Sequence, residues 1–138
     1  MADFRAAAVR HFSDGDVLCA ASRYANASQL WAYGAECTLK AILLKMGHLK
    51  LDAKGKPDKD AHRKHINDPG NPLIGAYIST LGGHTDYALP NRASWFEAWN
   101  INQRYESGAA VAAAHVAHRG DKQVFARLLG KAHENGHA

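Results

Sequence analysis

Nine histidines in 138 residues are the side chains best suited to chemistry in this sequence. Three pairs, His62/His65, His115/His118 and His133/His137, have the helical spacing that can bring two imidazoles onto one face. Two imidazoles do not close a metal site. A structural zinc takes four ligands and a catalytic zinc three, and no Cys or acid stands in an evident third position beside any pair. Neither a metal nor another cofactor is therefore expected. For His115 and His118 two readings stay open: hydrogen-bonded histidines near a packed face, or members of a polar pocket with Arg104. Arg104, Tyr105 and Glu106 follow an aromatic cluster of Trp95, Phe96 and Trp99. A planar cation beside aromatic surface can hold a phosphate or stack a base, and it is also how a core corner is built. Glu36 and Lys40 stand one helical turn apart and read as an exposed ion pair. If the fold buries them they need Arg104 or a histidine as partner, because an uncompensated internal charge is costly. Cys19 and Cys37 lie in apolar, helix-like segments, where an unpaired thiol behaves as a small hydrophobe. No Gly-rich phosphate loop, nucleophile elbow or His-Glu-x-x-His motif is present, so P-loop, serine-hydrolase and zincin chemistries are unsupported.

The positive charge is concentrated. Between Lys45 and His65, Lys45, Lys50, Lys54, Lys56, Lys59, Arg63 and Lys64 face only Asp52, Asp58 and Asp60, which accounts for the whole net charge of +4. Counterion release at a nucleic acid depends on such local density rather than on the total. Gly47, Gly55 and Pro57 interrupt the stretch and no apolar period runs through it, so an exposed loop is expected. It reads either as a solvated, mobile connection or as a phosphate-contacting loop.

The elements that must position these residues read as helices. Residues 3–24 carry apolar side chains at helical intervals, interrupted by Ser13-Asp14-Gly15-Asp16, which predicts one helix with a weak middle or two short ones. A second helix runs to about Met46 before Gly47, with Asn26 or Ser28 as cap and a stripe of Leu30, Cys37, Ala41 and Leu44. Gly34 in its middle implies a close helix crossing. A short helix is expected from Leu73 to Leu81, and irregular chain over 84–92. A last helical region from about Ala109 to Ala132 could restart at Gly120-Asp121. Its stripe is Val111, Ala114, His118, Asp121 or Lys122, Phe125, Leu128 or Leu129 and Ala132. No strand-like alternation appears. The expectation is one all-α domain over 1–138, a four-helix up-and-down bundle with a long basic loop after the second helix. With 46% hydrophobic residues, no apolar run long enough to span a bilayer and no signal-like start, a cytoplasmic protein without membrane contact is expected.

Arg23-Tyr24-Ala25-Asn26-Ala27 followed by Ala35-Glu36-Cys37-Thr38-Leu39-Lys40-Ala41-Ile42-Leu43 resembles the second-helix region of bacterial HEPN-domain proteins. His65, the run from Trp99 through Gln103-Arg104-Tyr105, and Ala117-His118-Arg119 leading to Val124 and Leu128-Leu129 resemble its later blocks in order. The resemblance implies a helical bundle, a homodimer, and an association with RNA or nucleotides, including toxin–antitoxin systems. The residues read as ligand-binding are Arg104, Tyr105, His115, His118, Glu36 and Lys40, and the basic loop of Lys50, Lys54, Lys56, Lys59, Arg63 and Lys64 lies outside the resemblance. Nuclease members of the family carry an Arg followed shortly by a His near the last helix. After Arg104 the next His is His115, too far along to be the same motif. Arg5 with His11 and Arg127 with His133 do have the spacing, at the frequency that chance alone produces. An RNA- or nucleotide-binding module is therefore the leading expectation. A homodimeric protein-interaction module and a HEPN-type ribonuclease with a non-standard site are the alternatives.

Overall fold

A computed structural model describes residues 2–66, 68–92, 94–96 and 108–138, with side chains omitted over 108–113. The described chain is all-helical: α1 (Phe4–Ala20), α2 (Tyr24–Lys45), a 3-10 turn (Asp60–Arg63), α3 (Pro72–Leu81) and α4 (Gly108–Glu134). Among the described residues no helix is long and apolar enough to cross a membrane.

Asp3 starts α1 by accepting the Ala6 amide on its carboxylate at 2.9 Å, which satisfies one of the open donors of the first turn. The helix then continues unbroken through Ser13-Asp14-Gly15-Asp16. The expected weak middle is a packing feature instead. A Cβ at Gly15 would lie 2.6 Å from the Trp31 ring of α2, and Asp16 accepts the Trp31 indole N–H at 3.0 Å. One turn towards the N-terminus, Phe12 lies so close to Gly34 that a Cβ there would sit 2.5 Å from the phenyl ring. These pairings run in opposite order along the two helices, so α1 is antiparallel to α2, and Gly34 marks the close crossing its position implies.

Helix α2 begins at Tyr24, earlier than a cap at Asn26 or Ser28 would place it, with no side chain capping its start. Ser28 is instead fully buried inside the helix. The core side is formed by Ala27, Trp31, Ala35, Leu39 and Ile42, whereas Leu30, Cys37 and Leu44 are only half-buried. The helix is covered from more than one side, so its burial is broader than the stripe of Leu30, Cys37, Ala41 and Leu44. Gly47 leaves the helix at φ +82°, a conformation that favours glycine.

Helix α3 starts with Pro72 in its first turn, where a missing N–H costs nothing, and buries Leu73, Ile74, Tyr77 and Leu81. Helix α4 continues through Gly120 and Asp121 without restarting. Asp121 does not cap a new helix because its carboxylate is used across the core: Oδ2 accepts the Phe96 amide at 2.9 Å and Oδ1 pairs with Arg92. His118, Asp121, Phe125, Leu128, Leu129 and Ala132 form its buried stripe, at the positions the periodicity predicts. Contacts of Tyr24 with His115 and Ser28 with His118 advance together, so α4 runs parallel to α2. Asp16 with Lys122 and Cys19 with Arg119 join it antiparallel to α1. Between α3 and α4, Tyr87, Trp95 and Phe96 are buried, with Trp95 and Phe96 packed on Phe125.

Gly34→Ala should lower the unfolding free energy by about 1–3 kcal/mol, because the added methyl forces Phe12 out of a packed site. Gly120→Ala, where a Cβ meets nothing within 4 Å, should raise it by up to about 1 kcal/mol. Urea denaturation of the two variants checks both signs, and a Gly34→Ala midpoint equal to wild type would contradict the close crossing.

Candidate functional site

Glu36 is the charged residue most deeply placed in α2, with 6% of its surface exposed. Its Oε1 accepts the Ile66 amide at 3.0 Å and lies 2.9 Å from the Nδ1 of His65. The carboxylate therefore pairs with a histidine from the end of the basic loop rather than with Lys40. That is the buried alternative, met by the imidazole. The hydrogen bond to Glu36 raises the His65 pKa above the ordinary imidazole value, opposed by burial and by the nearby Lys40 charge. Asp68 completes the seat by accepting the His65 amide at 2.9 Å.

Two further rings continue from His65. The Tyr33 ring of α2 lies 6.1 Å from it, and His11 of α1 stands edge-on to Tyr33 at 5.8 Å. All three are half-buried. Gln29 donates to the Tyr33 hydroxyl at 3.0 Å. Burial, and then the neighbouring Arg10 charge, lower the His11 pKa. Cys37 lies on the same side of α2, and burial pushes its thiol up to about 11, which keeps it protonated at neutral pH.

The loop that ends at His65 is built rather than slack. Leu51 and Pro57 form an antiparallel bridge. Between them the Asp52 carboxylate accepts the amides of Lys54 at 2.8 Å and Lys56 at 3.0 Å. These bonds, Lys56 first, together with the Arg63 charge, hold the Asp52 carboxyl below its usual range. Leu49, Pro57, His62 and Ile66 turn inward and are buried. An irregular connection is thus replaced by a folded one, because apolar residues scattered without period still find the core. Arg63 pairs with Asp52 at 3.4 Å and Lys64 with Asp60 at 3.6 Å. Lys50, Lys54, Lys56 and Lys59 stay exposed. Beside them His48, Lys50, Asp58 and Lys59 line an open hollow of about 310 Å³.

His115 and His118 belong to a different place. His118 is fully buried, its Nδ1 2.7 Å from the Ser28 hydroxyl, and its ring packs beside Phe96. His115 stacks on Tyr24 at 4.0 Å. Ser28 and Glu36 are two turns apart on α2, about 12 Å at the usual helical rise. The two polar clusters are thus separate, and Lys40 goes with the Glu36 cluster. Arg104 and Tyr105 lie outside the described residues, as does Trp99. The described cation on the aromatic cluster is Arg92, 4.5 Å above the Trp95 ring. Among the described residues no group of three or more His, Cys, Asp and Glu gathers as a metal site.

His65 and Ser28 have in common that long-range contacts give them their places. In the sequence His65 enters as one of the family-like blocks and as half of the His62/His65 pair, and His11 only through its chance-level spacing from Arg5, whereas no motif includes Tyr33 or Arg92.

His65→Gln isolates one titration. The folded pKa of His65 lies above the unfolded value of about 6.5. Its stabilising contribution is fully present below that value and fades as pH rises through the folded pKa. Burial is the main cause that lowers the pKa values of both His11 and His62. Those two oppose it, costing stability as pH falls below the ordinary value. The stability difference between wild type and His65→Gln should therefore be largest at mildly acidic pH and shrink above neutrality. Denaturation across that range checks it, and a difference that grows with pH would contradict the Glu36 pairing.

Comparisons with protein-family models, curated proteins and solved structures return no match for this chain. The functional reading rests on the chemistry of the site.

Proposed function

We propose that this chain is a HEPN-like up-and-down four-helix bundle, with α3 as its short third member, that binds RNA through the basic loop after α2. One observation carries the reading: four lysines, Lys50, Lys54, Lys56 and Lys59, are exposed on a loop held in shape by the Leu51–Pro57 bridge and the Asp52 turn. Lysines on a fixed base can neutralise consecutive phosphates without first ordering a tether, and phosphate contacts of this kind carry no sequence information. The orientations of α1, α2 and α4 support the bundle topology. The resemblance supports a homodimer and a bacterial regulatory or toxin–antitoxin setting, and the sequence pattern supports a cytoplasmic location and Arg104 and Tyr105 as further ligand contacts.

The test is binding of fluorescently labelled single-stranded RNA across a salt series. Four neutralised phosphates give a slope of log K against log salt of about −3, at roughly −0.7 per phosphate on a single strand. Replacing Lys50, Lys54, Lys56 and Lys59 by Gln should remove most of that slope and most of the affinity while leaving the fold intact. Unchanged binding in this variant would overturn the reading. RNA length is followed in the same samples, and shortening that is lost in Arg104→Ala would favour the ribonuclease alternative.

A further inference from the structure

The row His11, Tyr33, His65 joins three separate parts of the chain: α1, α2 and the end of the basic loop. Neighbouring centroids are 5.8 and 6.1 Å apart, and each ring keeps part of its surface open to solvent. Two of the rings are pinned by polar bonds from a packed frame. Glu36 holds His65 at Nδ1, and Gln29 holds the Tyr33 hydroxyl. Ordering them at an interface therefore costs little further entropy. Cations border the row. Arg10 precedes His11 and is exposed, Lys64 precedes His65, and Lys40 acts electrostatically on His65. His65 is also the last residue of the lysine-rich stretch, so the chain itself joins the row to the basic loop.

Rings alone are a core corner, and lysines alone bind any polyanion. Rings set beside lysines at the surface are suited to a strand whose bases are unpaired, because each base presents a flat face and the backbone beside it presents charge. A duplex offers phosphates equally well but keeps its base faces inside the stack.

We propose that His11, Tyr33 and His65 form a stacking row for the unpaired bases of a single-stranded RNA whose phosphates lie on the basic loop. The proposal rests on the RNA-binding reading above and adds to it the strandedness of the ligand and the residues that sense it.

The experiment compares three fluorescence-competition probes on the full chain: an oligoadenylate, an RNA duplex of matched charge, and inorganic polyphosphate, which has the charge without the bases. Tyr33→Leu and His11→Ala should each weaken oligoadenylate binding by about tenfold, the scale of one lost base–aromatic stack. Tyr33→Phe, which keeps the ring, should bind nearly as wild type. None of the three should change polyphosphate binding. If Tyr33→Leu fails to fold, the half-exposed His11→Ala carries the comparison. Oligoadenylate and polyphosphate affinities that fall together, or that both stay unchanged in the ring variants, would overturn the stacking row and leave the basic loop as the binding surface. A duplex that competes as well as the single strand would do the same. Wild-type protein that binds none of the probes at low salt would remove the RNA-binding reading and the row with it.

Discussion

A carboxylate placed inside a helical core must be answered, and Glu36 is answered from outside its own helix. Left unpaired it would cost several kcal/mol, far more than an exposed ion pair contributes. The Ile66 amide and the His65 imidazole supply the compensation together. The chain between α2 and α3 is thus forced to return across α2 at one particular turn. Its departure is fixed as well, since the Leu43 carbonyl accepts the amides of both His48 and Leu49. A segment tied at both ends, with Leu49, Pro57, His62 and Ile66 sunk into the core, has little freedom left between its anchors. The fixed presentation of Lys50, Lys54, Lys56 and Lys59 follows from that constraint and not from any property of the lysines.

The other side of α2 is governed by contact rather than charge. Gly15 and Gly34 remove two side chains where Trp31 and Phe12 come across, and the two rings lock α1 at short range. That approach puts His11 against Tyr33. Asp16 strengthens the same junction from two directions, accepting Trp31 Nε1 and Lys122 Nζ. At the far end of the helix, Ser28 with His118 and Asp121 with Phe96 and Arg92 make a second polar frame that stabilises α4 against α2 and the segment before it. His118 is fully enclosed there, so its hydrogen bonds are structural support for the core.

Helix existence and the buried stripe of α4 were legible because a 3.6-residue period survives in local sequence. At Gly15 and Gly120, where the sequence leaves a continuous helix and a break both open, the helices are continuous. Gly and Asp are turn formers when only neighbours matter, and here Trp31, Phe96 and Arg92, distant in sequence, consume the Asp side chains and the space at Gly15. Ser28 misled for the same reason, its hydroxyl being used by His118 rather than by its own helix start. Of the site, the charge of the basic loop can be counted directly, whereas Glu36 reads first as an exposed partner of Lys40 and needs a histidine or Arg104 only if it is buried. Its partner could not be derived, because nothing local relates residue 36 to residue 65. The fold of the loop was hidden too, since its inward residues follow no period.

An ordered cationic loop and a mobile one differ in what they can recognise. A mobile tether of lysines finds any phosphate array, and the entropy it loses on binding is the same whatever it holds. A loop fixed to the helix core presents its charges in one geometry relative to the surface beside it. Because His65 both ends the loop and lies against Glu36 and Tyr33, the end of the loop is fixed to the ring row. Under the proposed reading, phosphates on the lysines and bases on the rings belong to one strand. On that reading discrimination arises at the rings, since lysine–phosphate contacts set position and carry no information about the bases. The buried carboxylate is thus the element through which an otherwise unselective patch of charge acquires a defined neighbour.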